Sequence, residues 1–427
     1  MTVTLAEKPE VAAEQMAALG RDARTAAAVL ARSSLDQRNK ALLEGAAALR
    51  AAEAPLLAAN AEDMRAAEAK GLSDALLDRL RLDPKRIEAM AQGLETVAAL
   101  PDPLGRVLAE WEQPNGLRIQ RVAVPLGVIG IIYESRPNVT ADAGALCLKA
   151  GNAAILRGGS ESFHSSGAIL EALQAGLAAA GLPTTCLQRP PGRDRALVGE
   201  MLRAHRWIDV IVPRGGRSLI ERVMQEAQVP VLAHLDGNNH TYLHRAANPN
   251  KALTLTVNAK LRRPGICGAT ETLLVDSEAA ARLLPPILDR LAAEGCELRG
   301  DPAVQALDAR VLPADASDWD CEYLAPVLAI KTVTDLEEAL AHIENHGSRH
   351  SECIVTEDPE AATAFLERVD AAIVMHNTST QFADGGEFGM GAEIGIATGK
   401  LHARGPVGAE QLTSYKYLVR SDGRTRA

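Results

Sequence analysis

Short, continuously apolar segments that alternate with helical segments constrain the fold of this chain more than any other feature. Residues 128–133, 153–156 and 208–212 have the length and composition of strands that are buried on both faces. Helical patterns over 141–150 and 166–180 separate these segments. Strands that alternate with helices predict a mostly parallel sheet with right-handed crossovers. Such sheets bind ligands at the carboxyl ends of their strands.

The same alternation begins again after Gly237, which predicts a second α/β unit. Helix 250–261, strand 271–275 and helix 278–293 follow one another there, and 327–330 is a further short element. We therefore expect an α/β protein with two parallel-sheet domains and a small β element. The predicted division is residues 1–235, including N-terminal helices, then 236–395, then a C-terminal segment at 396–427.

The two ends of the chain have simpler patterns. Residues 1–100 predict several helices, and Asp36 or the serines before it are candidate caps for one of them. A β-hairpin is predicted near 115–125. Residues 412–419 predict a terminal strand, and such a strand pairs either with another subunit or with its own chain. The sequence leaves both pairings open.

Composition excludes several classes of function. A net charge of −10 and a pI near 5.6 do not suit a protein whose main partner is nucleic acid. The most apolar segment, 122–133, contains a proline and two glycines and falls short of the ~20 residues needed to span a membrane. The first fifteen residues carry acids and do not resemble a secretory signal. We expect a soluble, cytoplasmic protein.

Cysteine usage agrees with a reducing compartment, because none of the six cysteines forms a Cys-x-x-Cys pair. Cys267 differs from the others, since it lies between glycines in the loop Arg262-Arg263-Pro264-Gly265-Ile266-Cys267-Gly268. Nearby positive charge favours the nucleophilic thiolate, and glycines let a carbonyl group approach the backbone amide of Cys267. The residues alone allow two interpretations, a nucleophile or a structural cysteine in a turn.

Two glycine-rich corners follow predicted strands, at Arg157-Gly158-Gly159-Ser160 and at Arg214-Gly215-Gly216-Arg217-Ser218. Exposed backbone amides at a helix N-terminus, flanked by arginines, form an anion site. Plain strand-to-helix turns also use glycine, and neither corner matches the common dinucleotide or P-loop patterns. Any dinucleotide is therefore expected to bind through a variant geometry.

A possible metal site is disfavoured by the spacing of its histidines. His342, His346 and His350 are four residues apart, but their order is not His-Glu-x-x-His. Gly347 and Ser348 are expected to end the helix before the third histidine. We interpret these histidines as a solvated helix end and loop, and we expect no metal.

Longer stretches carry a resemblance to a known family. They are AANAED at 58–63, GLSDALLDRL at 71–80, YESRPNVT at 133–140, LRGGSE at 156–161, RPGIC at 263–267, GGEFGMGAEIG at 385–395 and LHARGP at 401–406. In this order, over about residues 10–420, they resemble the gamma-glutamyl phosphate reductases, also called glutamate-5-semialdehyde dehydrogenases. The resemblance implies the aldehyde dehydrogenase fold and a step of proline biosynthesis. It makes 1–235 the NADPH-binding domain and 236–395 the catalytic domain.

The same resemblance implies the chemistry. Cys267 stands at the position of the family's nucleophile and would attack L-glutamyl 5-phosphate, expel phosphate and form a thioester, which NADPH would reduce to the semialdehyde. His234 stands where hydrolytic aldehyde dehydrogenases have a water-activating glutamate, and it is a candidate general acid or base. A reductase gains nothing from activated water, because hydrolysis would discard the thioester.

Other residues are assigned roles by the resemblance alone. Glu322 would hold the nicotinamide ribose, and Arg157 with Glu161 would hold the adenosine ribose, where the arginine also suits a 2′-phosphate and hence NADPH. The remaining candidates for the cofactor are Gly158, Ser160, Arg214, Gly215 and Gly216, and those for the substrate are Ser135, Arg136 and Asn138.

The sequence departs from the family pattern close to the predicted site. Asn239 precedes His240 where cysteine is usual, Leu261 and Arg262 replace a polar pair, and Gly268 stands where asparagine is common. Two rival interpretations are an acylating aldehyde dehydrogenase that uses a coenzyme A thioester and a catalytically silent scaffold. Further expectations are a homo-oligomer and docking of the glutamate kinase that supplies the acyl phosphate.

Overall fold

The computed structural model describes residues 9–426, and helices account for much of that range. In chain order the α-helices are α1 Pro9–Leu30, α2 Leu35–Ala51, α3 Glu53–Ala69, α4 Asp74–Leu80, α5 Pro84–Ala99, α6 Val139–Lys149, α7 Phe163–Ala179, α8 Ala196–Arg203, α9 Arg217–Glu226, α10 Pro249–Leu261, α11 Ser277–Ala293, α12 Pro302–Gln305, α13 Leu336–His346 and α14 Pro359–Arg368.

The strands alternate with these helices through most of the chain. They are β1 Val107–Glu112, β2 Arg118–Pro125, β3 Val128–Tyr133, β4 Ala153–Arg157, β5 Leu187–Gln188, β6 Val210–Arg214, β7 Asn239–Leu243, β8 Thr270–Asp276, β9 Glu297–Gly300, β10 Leu312–Pro313, β11 Val327–Val333, β12 Ser351–Val355, β13 Ile373–His376, β14 Ile396–Ala397, β15 Gly405–Pro406 and β16 Thr413–Arg420.

The described chain divides into two compact units. The first contains residues up to Ala233, together with Gly389–Gly395 and the residues from Val407 onward, and the second contains His234–Phe388 and Ile396–Pro406. The sequence placed 396–427 in a separate segment, whereas the structure distributes these residues between the two units.

The first unit is built on a parallel sheet in the order β5-β4-β3-β6. Every residue of β3 and β4 is buried, which explains why both segments are continuously apolar. The three predicted strands and the helices between them are confirmed, with boundaries shifted by at most a few residues. The loops that follow β3, β4 and β6 therefore meet at the carboxyl edge of one sheet.

Helices and a small antiparallel sheet complete this unit. The Ser34 side chain accepts a hydrogen bond from the Gln37 amide at 3.2 Å, and the Gln37 side chain accepts one from the Ser34 amide at 3.2 Å. This reciprocal pair caps α2 and confirms a serine cap. The small sheet has the order β1-β2-β16, and the terminal strand pairs with its own chain. A hairpin is present, but it covers 107–125, because its first strand, β1, precedes the predicted range of 115–125.

The second unit contains a seven-stranded parallel sheet in the order β10-β9-β11-β8-β7-β12-β13. Strands β8, β7 and β12 are neighbours, and all of their residues are buried. The chain segments that precede these three strands therefore lie side by side at the amino edge of the sheet. The predicted helix 250–261, strand 271–275, helix 278–293 and element 327–330 are confirmed as α10, β8, α11 and β11.

The helices do not combine the length and the apolar composition of a membrane span. Within residues 9–426, every helix is too short or too polar to cross a lipid bilayer.

Candidate active site

Cys267 lies, partly buried, in the loop that connects α10 to β8. A buried ion pair joins the two ends of this loop, since the Lys260 ammonium contacts the Glu271 carboxylate and both side chains are 0% exposed. Burial raises the pKa of Glu271 to about 7, and the charge of Lys260 opposes that rise. Cys267 is therefore held between two fixed points in the second unit.

Asn239 connects the cysteine loop to the sheet. Its side-chain Nδ2 donates to the carbonyl oxygens of Cys267 at 2.6 Å and Ala269 at 2.8 Å. Its Oδ1 accepts from the Ser351 amide at 3.1 Å. One fully buried amide thus links the segment that precedes β8 to the first residue of β12. The sequence identified this residue only as a departure from the family pattern.

Two glycines allow close backbone contacts around the loop that carries Cys267. A Cβ atom at Gly237 would lie 2.1 Å from the Cys267 carbonyl oxygen, so only glycine fits there. A Cβ at Gly268 would lie 3.3 Å from the Thr380 carbonyl oxygen, which is a tight contact. The Gly237 amide donates to Glu322 Oε1 at 2.9 Å, so the structure brings Glu322 to the segment beside Cys267.

Two histidines lie next to the thiol. One ligand atom each from His234, Cys267 and His350 lies within 4.8 Å of the other two. The His234 and His350 rings pack edge to face with centroids 5.0 Å apart. His234 Nδ1 donates to the Ile396 carbonyl oxygen at 2.6 Å, which fixes its tautomer and leaves Nε2 as the atom with a lone pair. The geometry therefore suits a proton-transferring role for His234.

The expectation that the three C-terminal histidines form a solvated helix end and loop is wrong for two of them. His342 is 4% exposed and His350 is 0% exposed. α13 does end at His346, before Gly347, as predicted. The His342 ring packs against Trp319 with centroids 5.7 Å apart, whereas His350 immediately precedes the buried strand β12. The spacing of the residues did not reveal this burial, because it depends on which strands are neighbours.

A second buried pair aligns the strands that carry these groups. Glu352 Oε2 lies 2.7 Å from the His240 amide nitrogen and 3.0 Å from His240 Nδ1, and both side chains are 0% exposed. Burial raises the pKa of Glu352, while His240 favours its charged form. The pair fixes the register of β7 against β12 and thereby the position of Asn239.

The arginines that precede Cys267 lie on the surface. Arg262 and Arg263 are exposed, and Arg262 Nη1 donates to Gln381 Oε1 at 3.3 Å. The Gln381 amide in turn donates to the Ala259 carbonyl oxygen at 2.9 Å. Arg262 is thus linked through Gln381 to the end of α10. Arg263 places a positive charge on the exposed side of the Cys267 loop.

In the first unit, the loop after β3 is supported by Glu161. The carboxylate of Glu161 accepts from the Ser135 amide at 2.7 Å and from the Ser135 hydroxyl at 2.8 Å. Ser135 has a positive φ of 43°, which is costly for a residue with a side chain. Asn138 Nδ2 donates to Asp142 at 2.8 Å, and Arg136 is partly exposed between them. The predicted substrate residues Ser135, Arg136 and Asn138 therefore share one loop, and the cofactor candidate Glu161 contacts that loop from the segment after β4.

Arg157 occupies a different environment from the one that a phosphate contact requires. It is 7% exposed, and its guanidinium donates to the carbonyl oxygen of Gly158 and to that of Arg193 at 3.1 Å. Its Nε is buried without a hydrogen-bond partner among the described residues. The loop that Arg157 supports also carries the exposed Arg193 and Arg195, which were not predicted as site residues. The sequence feature that could have indicated these two arginines is the segment PPGRDR at 190–195, which follows the short strand β5.

The Arg214 corner is partly occupied by a carboxylate. Glu134 Oε2 accepts from the Gly216 amide at 2.9 Å, at the N-terminus of α9. Gly215, Gly216 and the first residues of α9 are exposed, and Arg214 is partly exposed. Ser160 and Gly158 are partly exposed at the neighbouring corner. The cofactor candidates of the first unit therefore lie along the carboxyl edge of its sheet.

Comparisons with known proteins agree with this architecture. The model of the aldehyde dehydrogenase family matches residues 2–308 and 309–415. A gamma-glutamyl phosphate reductase of Rhodospirillum rubrum is 65% identical over 408 residues, which are 96% of each chain. The crystal structure of gamma-glutamyl phosphate reductase from Thermotoga maritima is 42% identical, with a TM-score of 0.95, and covers 97% of this chain and 100% of that one.

A more distant structure shares the fold alone. An engineered glycolyl-CoA reductase with bound NADP⁺ is 18% identical, with a TM-score of 0.63, over 95% of this chain and 96% of that one.

Proposed function

This chain belongs to the gamma-glutamyl phosphate reductases of the aldehyde dehydrogenase family, and we propose that it reduces L-glutamyl 5-phosphate to L-glutamate 5-semialdehyde, with release of phosphate, in proline biosynthesis. The observation that carries the proposal is the placement of Cys267 beside His234, in a loop fixed at both ends and braced by Asn239. A structural cysteine in a turn would not need an imidazole next to its thiol.

Cys267 acts as the nucleophile. Its thiolate attacks the 5-carbonyl carbon, the C–O bond to phosphate breaks, and a thioester forms on Sγ. The backbone amide of Cys267 donates to the developing oxyanion. After reduction at the carbonyl carbon, the C–S bond breaks and the thiolate leaves as the aldehyde forms. His234 accepts the thiol proton before attack, because its Nδ1 is committed to Ile396 and its Nε2 carries the lone pair.

The cofactor is a nicotinamide dinucleotide, for which we propose NADPH, and when bound it supplies the hydride. The residues at the carboxyl edge of the first unit's sheet fit such a group, because Gly215 and Gly216 are exposed at a helix N-terminus and Arg214 is partly exposed beside them. Gly158, Ser160 and Glu161 would surround the adenosine ribose, Arg214 the pyrophosphate, and Glu322 the nicotinamide ribose.

Selectivity for NADPH is assigned to the loop that Arg157 supports. Since the Arg157 guanidinium is committed to backbone carbonyl oxygens, Arg193 and Arg195 supply the exposed positive charge for a 2′-phosphate. Arg195→Ala should raise the KM for NADPH about tenfold to a hundredfold, from the loss of one charge-assisted hydrogen bond, and leave that for NADH unchanged. Steady-state kinetics with both cofactors measure this, and equal changes would contradict the assignment.

The activity is tested in the reverse direction, which avoids the unstable acyl phosphate as a reactant and supplies the semialdehyde together with its cyclic form. Wild type, Cys267→Ala and Cys267→Ser receive glutamate semialdehyde and NADP⁺, with phosphate, with coenzyme A or with neither, and absorbance reports NADPH. We expect phosphate-dependent NADPH formation by wild type alone. Formation without phosphate would indicate a hydrolytic dehydrogenase, and dependence on coenzyme A would indicate the acylating rival. Activity in the alanine variant would remove Cys267 from the mechanism.

We also propose a homo-oligomer in a reducing cytoplasm. β16 forms an edge of the small antiparallel sheet, and three of its side chains, those of Tyr415, Tyr417 and Val419, are about half exposed. An exposed apolar edge of this kind suits pairing between subunits.

Within residues 9–426 no disulfide joins the cysteines, which agrees with a reducing compartment. Light scattering of wild type and Tyr417→Lys tests the oligomer, and co-purification tests docking of glutamate kinase.

A further inference from the structure

We propose that His234, Cys267 and His350 form a binding site for a thiophilic divalent cation such as Zn²⁺, which blocks the nucleophile reversibly. The three ligand atoms lie within 4.8 Å of one another. Two imidazole nitrogens and one thiolate are ligands that Zn²⁺ prefers, and tetrahedral zinc accepts three protein ligands with water in the fourth position. Coordination requires each of these atoms to lie about 2.0–2.3 Å from one shared ion.

Hydrogen bonds on the far side of both imidazoles have the arrangement that metal ligands require. A ligating histidine generally donates its other ring N–H to a carbonyl or another oxygen, which fixes the tautomer and the orientation of the ring. His234 does so, through Nδ1 and the Ile396 carbonyl oxygen at 2.6 Å. In His350 the corresponding atom, Nδ1, lies 2.9 Å from the Ser351 hydroxyl oxygen. Both rings can therefore present Nε2.

The proposed reaction uses His234 for proton transfer and gives no role to His350. Its Nε2 is buried and has no hydrogen-bond partner in the described part of the chain, although the residue is 0% exposed. A buried polar atom without a partner carries a free-energy cost, and coordination of an ion would remove that cost.

The bound ion would act as an inhibitor and not as a cofactor. Coordination requires the thiolate, so the Cys267 proton leaves when the ion binds. The sulfur lone pair then forms the metal bond and no longer attacks a carbonyl carbon. Removal of the ion by a chelator restores the thiol. The site thus couples enzyme activity to the concentration of free thiophilic metal, and it also protects Cys267 from alkylation and oxidation.

Metal binding is measured on the purified full-length protein, without substrate, so the result does not depend on the proposed function. Zn²⁺ affinity comes from competition with a chromogenic chelator, and Co²⁺ serves as a spectroscopic probe. Protection of Cys267 from iodoacetamide is followed by peptide mass spectrometry. We expect one ion per chain, a thiolate-to-Co²⁺ charge-transfer band, and slower alkylation of Cys267 that EDTA reverses.

Variants identify the ligands. His350→Gln should weaken Zn²⁺ binding about a hundredfold, because it removes one of three protein ligands, and Cys267→Ala should abolish the charge-transfer band. His342→Gln is the matched control, since it changes another buried histidine of the same unit and should leave the affinity unchanged. Thermal melting verifies that the variants fold. Unchanged affinity in both His350→Gln and Cys267→Ala, or a Co²⁺ complex of wild type without the thiolate band, would overturn the proposal.

Discussion

Replacement of Asn239 by alanine removes the side chain that ties the nucleophile loop to the sheet. Three hydrogen bonds are lost, from Nδ2 to the carbonyl oxygens of Cys267 and Ala269 and from the Ser351 amide to Oδ1. At about 1 kcal/mol net for each bond, the free energy of unfolding should fall by roughly 3 kcal/mol. The Ala269 carbonyl and the Ser351 amide then stay buried without these partners, so this value is a lower bound.

The same substitution should impair catalysis more than cofactor binding. A displacement of the reactive group by about 1 Å can reduce the rate a hundredfold, so we expect kcat to fall by roughly 10- to 100-fold. The KM for the nicotinamide cofactor should change little, because the candidate dinucleotide residues of the first unit do not depend on Asn239. The rate of Cys267 alkylation should change in parallel with kcat.

Urea denaturation followed by circular dichroism and tryptophan fluorescence measures the stability, and peptide mass spectrometry measures alkylation. Asn239→Asp is the matched control, because it keeps the size and the acceptor for Ser351 but places an oxygen against two carbonyl oxygens. It should be at least as harmful as alanine. Asn239→Cys should fall between wild type and alanine, since a thiol is a weak donor. An alanine variant with wild-type stability and kcat would refute the bracing role.

Three further predictions concern the same unit. Lys260→Met should cost about 3–5 kcal/mol of unfolding free energy by leaving the Glu271 carboxylate buried and uncompensated, and adding Glu271→Leu should recover most of it in urea titrations. Gly237→Ala should lower kcat at least tenfold, because its Cβ would lie 2.1 Å from the Cys267 carbonyl oxygen; unchanged kinetics would show that the loop relaxes. Burial lowers the pKa of His342 to about 2, so the unfolded state binds one more proton below pH 6.5 and stability falls as the pH falls. His342→Gln should abolish roughly 2 kcal/mol of the stability lost between pH 7 and pH 5, and an unchanged pH profile would contradict this.

The elements of the fold were predictable where one pattern dominates locally. β3 and β4 are buried on both faces, so their apolar residues are contiguous, and Gly151 and Gly181 follow the ends of α6 and α7. The short strand β5 and the polar start of β7 escaped prediction. β5 has two residues, too few for any period to appear, and β7 begins with Asn239, His240 and Thr241, whose polarity is satisfied by buried partners.

The site was predictable only in part, because strand order is not a local property. Cys267 and its loop carry their own signal in glycines and arginines. His350 is 83 residues further along the chain and reaches the thiol only because β12 and β8 both flank β7. Arg157 was assigned to a phosphate by its position after a strand, yet its guanidinium is committed to the neighbouring loop. Composition and spacing do not report which side of a loop an arginine faces.

The departures from the family pattern near Cys267 form a physically connected set. Asn238 Nδ2 donates to the carbonyl oxygens of Trp319 at 2.7 Å and His346 at 2.8 Å, which closes the end of α13 onto the segment before β7. Asn239, the first residue of β7, donates a hydrogen bond to the Cys267 carbonyl oxygen, and Gly268 lets the Cys267 loop lie against the Thr380 carbonyl oxygen. A Cβ at 268 would lie 3.3 Å from the Thr380 carbonyl oxygen, so a side chain there needs a small shift of the loop, and the hydrogen bonds from Asn239 resist such a shift. The residues at 239 and 268 should therefore show strong non-additivity, so that Gly268→Asn is tolerated better in an Asn239→Cys background than in wild type.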